Sequence, residues 1–295
     1  MTGRALITGV TGFIGGKLAA RLISDGWQVD AIVRPSSDTA SLLFADEVIL
    51  HTREDGQDLT PVLTAAKPDI VFHLASLYLA EHRPDQIGGL VQSNVLFPTL
   101  LAEAMATTGV RRLINTGTAW QHFEGAAQRP ANLYAATKQA FEALLDYYVD
   151  AKGLMVTTLK LYDTFGQGDP RRKLIQLLID QAERDAPLAM SPGEQIVDLT
   201  HVEDVVEAFV VAAGRIMAAE AAIHSRYLVS GERYRVRDLA PIVAQATGRP
   251  VAVEFGGRPY RPREVMEPIA PGPEDRLPGW HPTRTLADYV SRLAR

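Results

Sequence analysis

Ala5-Leu6-Ile7-Thr8-Gly9-Val10-Thr11-Gly12-Phe13-Ile14-Gly15 packs a strand, a tight turn and the start of a helix into eleven residues. The apolar run Ala5-Leu6-Ile7 reads as a buried strand, and glycines then recur at the first, fourth and seventh places of the turn. Each glycine has its own reason. Gly9 permits the turn, Gly12 lets a pyrophosphate approach the backbone, and Gly15 lets the helix pack close to the strand. Free N–H groups and the positive end of the helix dipole then face that pyrophosphate. The expected contacts of a nicotinamide dinucleotide are therefore Gly9, Thr11, Gly12, Phe13, Ile14 and Gly15. Lys17 does not turn this into an ATP-type loop, because Thr11 and Leu18 stand where that motif wants Gly and Ser or Thr.

Outward from the loop, the second strand ends Val33-Arg34-Pro35-Ser36-Ser37. An acidic residue here would bind the adenosine ribose and repel a 2'-phosphate. Arg34 with the hydroxyls of Ser36 and Ser37 suits that phosphate instead, so NADP(H) is the expected cofactor.

Strands are expected at Arg4–Thr8, Gln28–Val33, Glu47–Leu50, Ile70–Leu74 and Arg112–Thr116. Between them run helical patterns, one placing Ile14, Leu18, Leu22 and Ile23 on a face, another Ile87, Leu90, Val91, Asn94 and Leu101. Such alternation predicts an α/β fold, a Rossmann doubly wound parallel sheet with right-handed crossovers. After about Phe165 the rhythm loosens, and from Arg249 the chain is rich in Pro, Gly and Arg. The expected division is a cofactor domain of residues 1–166 and about 196–230, with a smaller loop-rich substrate domain of about 167–195 and 231–295. The composition, 46% hydrophobic and 22% charged over 295 residues, is that of a globular protein. A net charge of -5 argues against nucleic acid or an anionic membrane as partner, whereas local clusters at Arg171-Arg172-Lys173 and Arg258 to Arg263 suit a small anion. No cysteine is present, no histidines show metal-ligand spacing, and no signal peptide or bilayer-length apolar run is seen; the expected location is the cytoplasm.

Leu113-Ile114-Asn115-Thr116-Gly117-Thr118 is a strand entering a loop, and Tyr134-Ala135-Ala136-Thr137-Lys138 opens a later helix. Residues four apart share a helix face, so the phenol and the ammonium can meet at one site. The ammonium and an oxidised nicotinamide are expected to lower the phenol pKa.

With these motifs in place the chain resembles an extended short-chain dehydrogenase/reductase, of the NAD-dependent epimerase/dehydratase kind that acts mainly on nucleotide sugars. The likeness spans nearly the whole chain: the glycine loop, Val71-Phe72-His73-Leu74-Ala75, Asn94-Val95, Tyr134 to Lys138 and His201-Val202-Glu203-Asp204-Val205. It implies that Tyr134 exchanges a proton with the substrate oxygen, that Lys138 holds the nicotinamide ribose, and that Thr118 hydrogen-bonds the reacting oxygen. It also implies cofactor contacts at Leu74 and Ala75, an adenine contact at Asp55 with Asp58 as competitor, and a homodimer built on the helix near Ile87 and the one carrying Tyr134. His73 and Asn94 read as structural.

Ala119 and Trp120 follow Thr118 where the 4,6-dehydratases carry Asp and Glu, so dehydration is not expected. Val197 precedes Asp198 where epimerases carry a diphosphate-holding Arg, and Asp163 stands where Asn is common. Arg261 or Arg263 is then expected to hold the diphosphate. Trp120, Gln121, His122, Asp163 and Lys173 are the remaining expected substrate contacts. Gly117 to His122, Leu161 to Gly166 and Ser191 to Gln195 are similar to CDP-abequose and CDP-paratose synthases. That narrower likeness implies NADPH-dependent reduction of a 4-keto sugar. A 4-epimerase with tightly held NAD and a non-catalytic dinucleotide sensor are the alternatives.

Overall fold

The computed structural model describes residues 2–40, 42 and 44–293. Its centre is a parallel seven-stranded sheet in the order β10-β6-β5-β4-β1-β2-β3. These strands are β1 (Arg4–Thr8), β2 (Gln28–Val33), β3 (Val48–Thr52), β4 (Ile70–His73), β5 (Arg112–Thr118), β6 (Met155–Leu161) and β10 (Ile223–Val229). The first five expected strands are all present. The third begins one residue later than expected and runs to Thr52, and the fifth reaches Thr118. Strand order reverses between β1 and β4, which opens the crevice where a dinucleotide binds in such sheets.

The fold follows from burial on two faces. On one, Ile7, Val29, Phe72 and Leu159 meet Leu18, Leu22, Val205 and Phe209 of α1 (Phe13–Ser24) and α7 (Val202–Met217). On the other, Leu6, Val71, Leu113 and Val156 meet α2 (Thr60–Ala66), α4 (Phe97–Thr108) and α5 (Leu133–Lys152). A sheet apolar on both faces needs helices on both, hence the doubly wound form. The helical pattern from Ile87 comprises α3 (Ile87–Val91), a wider π turn over Gln92–Leu96, and α4. Asn94 sits in that turn.

A second lobe gathers β7 (Asp163–Phe165), β9 (Ile196–His201) and β11 (Glu232–Arg235) in one sheet, and β8 (Leu188–Met190) with β12 (Val253–Phe255) in another. Around them pack α6 (Leu174–Gln181), α8 (Val236–Thr247) and α9 (Leu286–Leu293), through Phe165, Ile175, Leu199, Leu239 and Leu286. Residues 196–201, expected with the cofactor domain, thus pair with the small lobe. The cause is local: the buried Asp198 carboxylate accepts from Ser230 Oγ at 2.6 Å and Gly231 N at 2.8 Å, which draws β11 antiparallel to β9. Asp204, at the start of α7, accepts four hydrogen bonds from Thr283 and Arg284 and fastens the C-terminal segment. Among the described residues, no helix is long and apolar enough to cross a membrane.

Candidate active site

The glycine loop lies at the carboxyl end of β1 against the start of the β4 exit. A Cβ on Gly9, whose φ is +81°, would stand 2.6 Å from Ala75 N. One on Gly15 would stand 2.1 Å from Gly9 O, so helix and turn touch there. Gly12 begins α1 without a side-chain cap, leaving its first-turn N–H groups to an external acceptor. A Cβ there would meet only Gly9 O at 3.1 Å. This open, uncapped cradle fits a pyrophosphate. Leu74 N and Ala75 N are held by Thr8, by its carbonyl at 3.1 Å and its hydroxyl at 3.2 Å, which presses the β4 exit against the loop.

Arg34, Ser36 and Ser37 form the turn after β2. The Arg34 backbone N–H donates to Ser37 Oγ at 3.1 Å, while the Arg34 side chain is exposed at the end of the strand. Asp58 accepts from N of Thr60, the first residue of α2, at 2.9 Å, so its carboxylate already has a structural task; Asp55 is exposed in the preceding turn.

Tyr134 and Lys138 share a face of α5, whose first turn is fixed by Asn132 accepting from Ala135 N at 2.9 Å. The Asn132 amide also donates to Ala80 O at 3.0 Å, tying the loop after β4 to this helix. Burial pushes the Tyr134 phenol up to about 12, against the pull of the Ser76 hydroxyl and the Arg171 charge. The expected lowering by Lys138 is not what the structure contains; burial wins, and Ser76 and Arg171 are the groups that oppose it. Burial also draws Lys138 down to about 8, with Glu142 acting to raise it. Asn94 organises the other side: its Oδ1 accepts from Ser76 Oγ and Leu77 N, and its Nδ2 donates to Leu77 O and to Thr137 Oγ1. His73 is fully buried with its ring against Phe97 and Phe141 and Nδ1 2.8 Å from Thr8 Oγ1, and burial holds it neutral.

Beyond Tyr134 opens a cleft of about 800 Å³ between the lobes. Tyr78 stands at its inner end, edge-on to Tyr134 at 5.0 Å and 6.0 Å from Trp120. Tyr78 was missed in the sequence, where nothing marks a lone aromatic in a loop. Of the residues expected to meet substrate, Trp120, Asp163, Lys173 and Arg261 line the cleft. Lys173 Nζ bonds Asp163 at 3.1 Å and lies 5.4 Å above the Tyr78 ring. The walls carry five cations, Arg171, Arg172, Lys173, Arg258 and Arg261, against three carboxylates, Asp163, Asp169 and Glu264. That excess suits an anionic ligand. Arg171 pairs in two-pronged fashion with Asp169 and also lies 5.3 Å from the Phe13 ring, joining cleft to glycine loop.

Three expected contacts lie elsewhere. Gln121 is fully buried under the loop, its side-chain Oε1 accepting from Thr118 N at 2.9 Å. His122 turns away to Lys160 Nζ at 2.9 Å and Ala126 O at 3.2 Å. Arg263 donates to the carbonyls of Ala131 and Pro130 and stacks 4.2 Å over Phe123, so it clasps the segment between β5 and α5 to the C-terminal segment and its donors are taken up there. Thr118 is buried at the end of β5, and its hydroxyl oxygen accepts from Trp120 N at 3.3 Å.

Residues 5–224 match the model of the NAD dependent epimerase/dehydratase family. A CDP-abequose synthase of Yersinia pseudotuberculosis is 27% identical over 269 residues, covering 90% of this chain and 91% of the relative. A UDP-glucose 4-epimerase of Mycolicibacterium smegmatis is 29% identical over 310 residues, covering 98% and 96%. Among solved structures, UDP-glucose-4-epimerase from Stenotrophomonas maltophila superposes with a TM-score of 0.86 at 20% identity, over 99% of this chain and 96% of that one. UDP-glucuronic acid 4-epimerase from Bacillus cereus, solved with UDP-glucuronic acid and NAD, gives 0.83 at 23% identity over 98% and 96%. The sheet order, the glycine cradle, the Tyr134–Lys138 pair and these likenesses agree: the chain belongs to the NAD dependent epimerase/dehydratase family and is an enzyme of the nucleotide-sugar kind.

Proposed function

We propose that this enzyme reduces the 4-keto group of a nucleotide-linked 6-deoxyhexose with NADPH, a CDP-sugar being the favoured substrate. The observation that carries the direction is the turn after β2, where the exposed Arg34 beside Ser36 and Ser37 suits the 2'-phosphate of NADPH, a dinucleotide that delivers hydride rather than one kept bound and recycled. Tyr134, its phenol raised by burial, keeps its proton at neutral pH and can give it to an alkoxide, a stronger base, forming on the substrate. When bound, the dinucleotide supplies the hydride that reaches the carbonyl carbon. Tyr134 protonates the oxygen, Thr118 holds that oxygen, and Lys138 holds the ribose. Tyr78 and Trp120 exclude water from the inner end of the cleft, and Lys173, Arg258 and Arg261 supply charge for the diphosphate. Arg34, Ser36 and Ser37 support NADP(H) over NAD.

The test is NADPH absorbance with CDP-, dTDP- and GDP-4-keto-6-deoxyhexoses supplied in turn. The expected outcome is one NADPH oxidised per sugar, with an Arg34→Glu variant shifted at least about tenfold toward NADH, the loss of a charge-assisted phosphate pair. Stoichiometric NAD in the purified protein with no net NADPH use would favour the second reading, a 4-epimerase. That reading draws its support from the 29% identity to the Mycolicibacterium smegmatis epimerase. Val197, in place of the epimerase Arg, counts against it.

A further inference from the structure

Beneath the loop that follows β5 lies a buried polar cluster that the proton and hydride steps do not use. Glu142 is at its centre, 1% exposed and one turn beyond Lys138 on α5. Its Oε1 accepts from Gln121 Nε2 at 2.7 Å, and its Oε2 faces Lys160 Nζ at 3.3 Å and Arg226 Nε at 3.4 Å. Gln121 Nε2 also lies 3.1 Å from Gln139 Oε1, and Gln121 Oε1 accepts the Thr118 backbone N–H. A run of hydrogen bonds therefore leaves the Thr118 loop, passes through one buried amide, and ends at two side chains of the helix that carries Tyr134 and Lys138. Each link is fully occupied, and such networks hold their members in one arrangement.

We propose that Glu142 is a positioning residue for the reaction at Tyr134: through Gln121 it sets the spacing between Thr118 and the helix that carries Tyr134, on which it stands one turn beyond Lys138. The inference rests on reading Thr118, Tyr134 and Lys138 as the reacting site. A buried carboxylate is costly unless cations and donors hold it, and here an ammonium, a guanidinium and an amide do so. The titratable groups around it are Lys138 on its own helix, Lys160 on β6, Arg226 and His224 on β10, and His122 on the loop. Asp146 lies beyond, paired with Arg226 and His224. His122 and His224 are held toward the neutral form chiefly by burial, which leaves Lys138, Lys160 and Arg226 as the charges Glu142 answers. Burial draws Lys138 down, and Glu142 works in the opposite direction.

Two readouts test this. The chain has six lysines, so ε-carbon NMR of lysine-labelled protein resolves Lys138, assigned by the signal lost in Lys138→Arg. This needs neither cofactor nor sugar. In Glu142→Gln the Lys138 midpoint should fall by about one unit, and the basic limb of kcat should move with it. Glu142→Asp keeps the charge on a shorter arm: its Lys138 midpoint should stay near wild type while kcat drops about tenfold or more and KM for NADPH holds. If Glu142→Gln strands Lys160 and does not fold, Glu142→Gln with Lys160→Met removes the pair together and serves for the same measurement. An unmoved Lys138 midpoint and wild-type kcat in these variants, beside an inactive Tyr134→Phe, overturns the role of Glu142 alone. A fully active Tyr134→Phe overturns the reading of the site and this role together.

Discussion

At the scale of single residues, the site's character is set by burial more than by pairing. Tyr134 and Lys138 are pushed in opposite directions, each toward its uncharged form. The consequence for stability has a definite sign. Folded Lys138 releases its proton near pH 8, whereas the unfolded residue holds it to about 10.5, so the unfolded chain binds more protons between those values. Stability contributed at Lys138 should therefore rise with pH across that window, the penalty being fully present below about pH 8. Denaturant titrations at pH 8 and pH 10 check it: the gain of wild type relative to Lys138→Met should grow with pH, and a shrinking gain would reverse the assignment. Above pH 10 Tyr134 acts with the opposite sign, since its folded phenol keeps a proton the unfolded one has lost. Tyr134 and Lys138 were legible in the sequence because their spacing is local. Ser76 and Glu142 were not, and Arg171 was legible only as part of a basic cluster, because their bearing on Tyr134 and Lys138 depends on which side chains a fold removes from water.

At the scale of elements, the tightest constraint is the contact between α1 and the turn it follows. Gly15→Ala would drive a methyl into Gly9 O, with backbone on both sides and no flexible side chain to yield. The expected loss is about 3 kcal/mol, read from the denaturant midpoint, together with loss of dinucleotide binding by fluorescence quenching. Wild-type stability would mean that the helix can slide. The glycine pattern was readable because each glycine answers a backbone demand, whereas β6 and β10 carried no such punctuation. In β6 every residue is buried, among them Thr157, Thr158 and Lys160, so it lacks the alternation by which a strand is recognised. Gln121, His122 and Arg263 were misplaced for a related reason. Nearness in sequence to Thr118, or richness in arginine, says nothing about whether a side chain turns toward a cleft or under a loop.

At the scale of the whole molecule, the outer surface of the helical layer carries apolar groups that the core does not use. Ile87, Val91 and Leu96 are each more than 40% exposed on successive turns from α3, and Tyr147 is 56% exposed on α5. Leu145 and Tyr148, by contrast, are buried within the subunit, the latter bonded to Glu103. We read the exposed set as the seat of a homodimer. Light scattering on a sizing column should give twice the mass of one chain, and Leu96→Glu with Tyr147→Glu should halve it; a single-chain mass for the unaltered protein would refute this.

The lobes are not consecutive in the chain. β7 leaves the main sheet, β9 pairs outside it, and β10 returns to lie beside β6, pairing Leu161 with Val229. During synthesis, therefore, the edge of β6 emerges long before the strand that will cover it. An open parallel edge in a nascent chain invites the wrong neighbour, and pairing across so long a separation is slow. The seven-stranded sheet cannot be finished on the ribosome until the segment through Val229 has been made, so a message cut short after Lys138 would carry the glycine loop, Tyr134 and Lys138 without β6 and β10.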